Sequence, residues 1–317
     1  MRIAILGCGY VGLELGRQLA ARGHDVVGVR RSASGIEAIE TNGFEAVRAD
    51  VTDADALAAV PDVDALAFLA SSGGRGAEAA RTVFVEGLRT VVEHFGARSE
   101  APQYLVYASS TGVYGDHGSD WVDELTPLEP TTEKTRVLAE AETIAREEAP
   151  EHGLDATVAR LAGLYGPDRY RLERYIEGPV TEGYLNLVHR DDAAGAIRHL
   201  LERERSARQV AGTRQVAGSE DRNGDVRGEV VLVVDDEPVD RWAFADWLAD
   251  RCGVDRPAKR TVEDRLATDD LSERARRRLL TSKRCSNARL RALDYEFTYP
   301  TYREGYRDAI EAYRGVE

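Results

Sequence analysis

The run Gly7-Cys8-Gly9-Tyr10-Val11-Gly12 spaces its glycines as GxGxxG. It follows an apolar stretch, Ile3 to Leu6, and opens a segment with helical spacing. In that strand-turn-helix frame the chemistry it offers is the binding of a dinucleotide pyrophosphate. The first glycine permits a tight turn, the second lets phosphate approach the backbone, and the third lets helix and strand pack closely. The amides at the helix start then face the anion. The second apolar run ends in Val29-Arg30-Arg31-Ser32. An acid there would accept from a ribose 2′-hydroxyl, whereas two guanidinium forks suit a 2′-phosphate. Arg30 and Arg31 therefore predict NADP in preference to NAD. Asp50-Val51, after the third run, offers a carboxylate to the adenine amino group and an apolar side chain to its ring. The same Asp50, with Asp53 and Asp55, also reads as an acidic helix start.

The elements that must position these residues alternate. Strands are expected at Ile3 to Leu6, Val26 to Val29, Ala46 to Ala49, Ala65 to Leu69, Tyr104 to Ala108 and Ala156 to Leu161. Helical spacing covers Val11 to Arg22, Ala77 to Phe95 and a stretch from Pro130 to about Ala149. The strands are continuously apolar, as in a sheet buried on both faces, and short joins to helices imply a parallel arrangement. The fold class predicted is α/β, a Rossmann doubly wound parallel sheet with a smaller, interleaved C-terminal substrate lobe. Residues 1–164 form the dinucleotide-binding domain in this reading and 165–317 the lobe. A strand and helix within about 191–252 return to the sheet. A helix is expected from Asp191 to about Arg205, a strand from Glu229 to Val234, and helices over Trp242 to Cys252, Ser272 to Leu280, Asn287 to Leu293 (capped by Ser286) and Tyr302 to Tyr313. Residues 206–228 are polar and carry a short duplication, Arg208 to Gly212 and then Arg214 to Gly218, which reads as a mobile surface insertion.

Composition excludes several classes. The 317 residues carry 56 acids against 42 bases, a formal charge of −14, which disfavours nucleic acid and anionic membrane as partners. Only Lys134, Lys259 and Lys283 are lysines, and the other 39 bases are arginines. Such a balance is halophile-like, and a GC-rich genome gives the same bias. Cys8, Cys252 and Cys285 make no CxxC or zinc spacing, and no HExxH pairing occurs, so no metal site is predicted. With no membrane-length apolar run and no signal-like start, a cytoplasmic protein is expected.

Together these features resemble the extended and atypical short-chain dehydrogenase/reductase superfamily, the NAD(P)-dependent epimerase/dehydratase-like proteins. The glycine loop and Asp50-Val51 carry the likeness, as do Ser109-Ser110-Thr111-Gly112-Val113-Tyr114-Gly115 and Leu164-Tyr165-Gly166-Pro167. So do Leu187 to Asp192 and Tyr299 to Gly305. The resemblance implies that Ser110 holds the reacting oxygen and that Thr111 and Tyr165 line the substrate pocket. It also implies that Tyr10, Val11 and Ala70 join the glycines at the cofactor. The family's acid/base pair is a tyrosine followed four residues later by a lysine. Aligned by a trailing glutamate at Glu140, this chain has Thr132 and Arg136 in those places. A threonine hydroxyl does not ionise usefully near neutrality and an arginine stays charged. Arg136 is left as a ribose or phosphate ligand, Thr132 as a helix cap, and Lys134 as a solvent-facing residue. Tyr114 and Tyr165 are the remaining hydroxyls that would substitute.

Pro167 to Tyr175 stands where the resemblance places the substrate lobe. Arg169, Arg171 and Arg174, with Tyr170 and Tyr175 for stacking, suit an anionic or nucleotide-linked small molecule, and Leu172, Tyr175 and Ile176 equally form the inward stripe of a helix. Asp235-Asp236-Glu237 reads as an acidic helix start and His189 as a hydrogen-bonded structural group. A homodimer through the long helices would use Val83, Leu88 and Val91, which core packing explains as well. The reading favoured is an NAD(P)-dependent oxidoreductase or epimerase/dehydratase-like enzyme without the usual Tyr/Lys pair. The alternative is a non-catalytic NADP-binding sensor or interaction protein on the same fold.

Overall fold

A computed structural model describes residues 1–73, 76–213, 226–268, 271–272, 275–276 and 279–315, the side chains of 205–213 excepted. Its strands are β1 (Arg2–Leu6), β2 (Asp25–Arg30), β3 (Glu45–Arg48), β4 (Ala65–Phe68), β5 (Tyr104–Ser110), β6 (Trp121–Val122), β7 (Asp155–Leu161), β8 (Gly163–Tyr165), β9 (Val180–Thr181), β10 (Tyr184–Leu185), β11 (Leu187–His189), β12 (Val230–Val233), β13 (Val239–Asp240), β14 (Lys259–Arg260) and β15 (Arg284–Cys285). The helices that matter below are α1 (Tyr10–Ala21), α2 (Ala33–Thr41), α3 (Ala54–Leu57), α4 (Ala77–Arg81), α5 (Gly87–Gly96), α6 (Glu133–Thr143), α7 (Ala149–Glu151), α8 (Glu173–Ile176), α9 (Arg190–Thr213) and α10 (Arg241–Cys252).

Two compact units form. The first holds Met1–Ser110, Glu133–Arg160 and Ala194–Val231; the second holds Thr111–Thr132, Leu161–Ala193 and Leu232–Glu317. A seven-stranded sheet, in the order β12-β7-β5-β4-β1-β2-β3, organises the first. The pairs β1–β2, β1–β4, β2–β3 and β4–β5 are parallel, with Ile3 opposite Val26 on one side and Ala65 on the other. The order reverses direction beside β1, as in a doubly wound α/β sheet. Ile3 to Leu6 and Leu66 to Phe68 are fully buried, which is why these strands read as unbroken apolar runs. Leu15 and Leu19 of α1 are fully buried, each stabilising the fold by about 2 kcal/mol. A Cβ at Gly16 would stand 2.6 Å from the Phe44 ring, so this glycine lets the helix close on its neighbour.

The helix after β4 and the helix α6 each pass through one wide π turn, Thr82–Glu86 and Ile144–Glu148. Bidentate pairs link the two, Arg81 to Glu140 and Arg89 to Glu148. Where α6 meets the sheet, Glu142 is buried beneath the ends of two strands. It accepts from Ser109 Oγ at 2.5 Å and from Arg160 Nη2 at 2.6 Å, and both charged side chains are under 5% exposed.

Several expectations are corrected. The helix expected to end near Arg205 continues to Thr213, so the stretch from 206 begins as helix, and residues 214–225 lie outside the described residues. Much of the helix expected over 272–280 also lies outside them, with 275, 276 and 279 helical. The acids Asp235 to Glu237 do not start a helix. The helix α10 begins at Arg241, capped by Asp240, whose carboxylate accepts from the Trp242 and Ala243 amides. The helix Ala288–Ala292 has Asn287 at its N-cap position, and Ser286 accepts from the Ala288 amide. The closing helix is broken at Tyr306.

The second unit packs Tyr165, Leu172, Ile176, Phe244, Leu248, Tyr302 and Tyr306 into one apolar cluster. Two-residue strand pairs, β9 with β14, β10 with β13 and β6 with β15, tie its loops together.

Glu142→Ala leaves the Arg160 guanidinium buried without its counter-ion and should cost about 3–5 kcal/mol. Ser109→Ala removes one hydrogen bond and should cost about 1–2 kcal/mol. Urea denaturation of the two variants checks the order.

Candidate functional site

In the first unit the glycine loop crosses from β1 to α1 with Gly7 at φ +87°. A Cβ on Gly7 would lie 2.3 Å from the Ala70 Cα, so the loop rests directly on the backbone at the end of β4. The Gly7 and Cys8 amides both donate to the Val29 carbonyl at 3.1 Å, which ties the loop to the end of β2. Gly9 sits at the N-cap of α1 with no side chain over the first turn, and Tyr10 and Val11 are the first helical residues. A Cβ on Gly12 would stand 3.1 Å from Ile5, so helix and strand approach closely there. Burial pushes the Cys8 thiol up to about 12, with Arg30 opposing, so the residue is a neutral part of the turn.

The two arginines behave differently. Arg30 folds over the loop, with Nη1 donating to the Cys8 carbonyl at 3.3 Å and lying 2.6 Å from where a Gly9 Cβ would be. Arg31 donates to Asp50 Oδ2 at 3.0 Å, while Asp50 Oδ1 accepts from the Thr52 amide and hydroxyl. Burial works against the Asp50 charge, but the Thr52 and Arg31 hydrogen bonds outweigh it and hold the carboxyl below its usual range. Val51 is buried. Asp53, not Asp50, caps α3. The first unit thus gathers Gly7, Gly9, Gly12, Arg30, Arg31, Asp50 and Ala70 around the C-terminal ends of β1, β2, β3 and β4. That is the edge where doubly wound sheets bind dinucleotides, and a glycine loop with the Arg30 guanidinium over it fits a pyrophosphate.

Ser110 ends β5 half-buried. Thr132 precedes α6, and Arg136 is an exposed residue on that helix paired with Glu133 at 2.7 Å. The structure does not gather Arg136 with the loop residues, because its helical position points it away from the buried stripe of Val137, Leu138, Ala141 and Glu142. In the second unit, Thr111 is buried in the turn Thr111–Tyr114. The Tyr114 hydroxyl donates to the Asp123 carbonyl at 2.6 Å, a structural engagement.

The second unit also contains a cleft of about 480 Å³. Arg169 and Arg174 line it, joined by Arg171, Arg241 and Arg265, with Tyr165, Tyr170, Tyr175, Tyr306 and Asn186 between them. No carboxylate is present among its described lining residues. Leu172 and Ile176, on the same segment, are buried. Tyr165 stacks on Tyr306 at 4.9 Å, and its buried hydroxyl has no hydrogen-bond partner among the described residues. Burial, reinforced by Asp235, raises its pKa. Sequence alone missed Arg241 and Arg265, which 39 arginines leave without a distinguishing signal.

His189 is buried with its Nδ1 accepting from the Asp191 amide at 3.2 Å, and its ring lies 3.9 Å from Tyr299. Asp236 binds Asn287 and Arg291, and Glu237 binds Arg303, so the acid run is dispersed among cationic and amide partners. No helix of the described residues is long and apolar enough to cross a membrane.

An α/β dinucleotide-binding fold with this loop defines a class of NAD(P)-linked proteins. The pattern of the NAD dependent epimerase/dehydratase family matches residues 3–210, and the chain belongs to that family. Protein YeeZ of Escherichia coli K12 is 35% identical over 214 residues, 63% of this chain and 73% of YeeZ. A candidate NAD-dependent epimerase/dehydratase from Methylobacillus flagellatus is 31% identical, with TM-score 0.73 over 99% of this chain and 98% of that one. The dTDP-glucose 4,6-dehydratase of Bacillus anthracis, solved with NAD, shares the fold at 18% identity, with TM-score 0.73 over 100% and 97% of the two chains.

Burial holds the His189 pKa down to about 4. The unfolded chain therefore binds its proton near pH 6.5 and the folded chain only near 4. Stability present above pH 6.5 is lost as pH falls between those values, by about 3 kcal/mol. The difference in urea midpoint between wild type and His189→Asn, followed from pH 7 to 4, should shrink correspondingly.

Proposed function

We propose that the chain is an NADP-dependent oxidoreductase or epimerase/dehydratase-like enzyme acting on a small anionic or nucleotide-linked substrate. The observation that carries this reading is the cleft with five arginines and no acid among its described lining residues, in a chain of net charge −14. A protein that only sensed its coenzyme would need no second pocket of this size and charge. When bound, the dinucleotide supplies hydride transfer at its nicotinamide ring. The loop amides hold the pyrophosphate, and Arg30 and Arg31 take the 2′-phosphate. Asp50, which already orients Arg31, and Val51 stand at the adenine. Ser110 holds the reacting oxygen of the substrate, donating to a carbonyl or accepting from an alcohol. Arg169 and Arg174 bind the anionic part by two-point contacts, with Thr111 and Tyr165 completing the pocket.

Calorimetry should show saturable binding of NADPH tighter than NADH. Arg30→Ala and Arg31→Ala should each weaken NADPH about 10- to 100-fold and leave NADH nearly unchanged. Equal loss for both coenzymes would remove the 2′-phosphate assignment. A turnover screen over sugar nucleotides, aldehydes and quinones follows. Activity should fall in Arg174→Ala through KM, whereas tight NADPH binding with no turnover of any compound favours the sensor reading.

A further inference from the structure

Of the hydroxyls that would carry a proton in place of the family tyrosine, Tyr114 is bonded to Asp123 and Tyr165 is buried against Tyr306 in the second unit. The helix α6 carries an ammonium group, Lys134. Its buried residues are Val137, Leu138, Ala141 and Glu142, and at 100° per residue Lys134 lies within roughly 10° of the middle of that stripe. Arg136 lies on the opposite side, and Glu140 is turned outward to the half-exposed Arg81.

The direction of the helix is fixed by its contacts. Glu142 bonds to Ser109 and Arg160, at the C-terminal ends of β5 and β7. Further on, Arg146 donates to the carbonyl of Gly228, just before β12 begins. The helix therefore descends along the sheet. Lys134, eight residues before Glu142, stands ~12 Å further along the axis, beyond the C-terminal edge. That edge carries Gly7, Ala70 and Ser110. Lys134 is half-buried there, its ammonium over the Phe84 ring at 5.9 Å from the centroid.

Residue type gives a second argument. This chain uses arginine at 39 basic positions and lysine at three. Arginine cannot release a proton under ordinary conditions, and lysine can. The glutamate buried on α6 is Glu142, so an alignment by that residue moves the tyrosine place from Thr132 to Lys134 and the lysine place from Arg136 to Leu138.

We propose that Lys134 is the proton-carrying residue of the site, acting on the oxygen that Ser110 holds. This rests on the coenzyme reading above. In the reducing direction the substrate carbonyl takes hydride at carbon from the reduced nicotinamide and a proton at oxygen from the Lys134 ammonium. The product is the alcohol, and the neutral amine regains its proton from solvent. Oxidation runs the same transfers in reverse.

Among the described residues, the charged groups on the elements around it are Glu78, Arg81 and Glu86 on the turns after β4, and Glu133, Arg136, Glu140 and the buried Glu142 on α6. Arg81 is paired with Glu140 and Arg136 with Glu133. The two coenzyme forms differ in charge at the nicotinamide, so a response of Lys134 to the redox state reports proximity to that ring.

The test uses the whole chain, its lysines converted to ¹³C-dimethyl-lysines, which keep their charge. Lys134→Arg identifies the resonance. Calorimetry on the same methylated sample establishes saturation with NADP⁺ and with NADPH. The expected result is a Lys134 titration midpoint at least about half a pH unit lower with NADP⁺ than with NADPH, because the oxidised ring is cationic, while Lys259, ion-paired with Asp246, does not move. Saturable binding of both forms with an identical Lys134 midpoint overturns the proposal and leaves the coenzyme reading standing. Absence of binding overturns both.

Discussion

The turn between β1 and α1 exists only because position 7 has no side chain. Any Cβ there would overlap the backbone of Ala70, and the φ of +87° is one that L side chains rarely adopt. This contact sets the height of α1 over the sheet edge and brings the end of β4 against the loop. Gly12 against Ile5 and Gly16 against Phe44 then let the helix lie flat along its length. A pocket for a diphosphate is the space that such close backbone packing leaves open, lined by amides already oriented toward it.

A second constraint acts on the far side of the sheet. Two buried charges, Glu142 and Arg160, are tolerated because Ser109 and the bidentate geometry satisfy them together. Their pairing pins α6 in both rotation and height. Every residue on that helix is thereby assigned a direction, inward for Lys134 and outward for Arg136.

The central sheet was legible in sequence because its strands are buried on both faces and show as unbroken apolar runs. The glycine loop was legible because its spacing lies between a strand and a helix. Other features have no local signature. The two-residue strands of the second unit, such as Val180–Thr181 with Lys259–Arg260, are held by distant partners rather than by their own composition. The arginines of the cleft lie up to 96 positions apart, Arg169 to Arg265, each unremarkable among so many others. Helix α9 overruns its expected end because a polar, charged stretch with few breakers is compatible with helix as well as with a loop, so its composition alone does not mark where the helix stops. Choosing between Glu140 and Glu142 as the anchoring acid required seeing which one meets Arg160.

The contrast between the acidic body and its basic cleft bears on how fast a ligand arrives. From beyond a Debye length an anion meets the repulsion of a net charge of −14, and only close in does it meet the guanidinium groups. Added salt screens the distant repulsion before it reaches the sheltered, short-range attraction. Capture of an anion should therefore quicken as ionic strength rises from very low values, then slow once the arginines themselves are screened. The protein has a saline optimum for encounter written into its charge distribution.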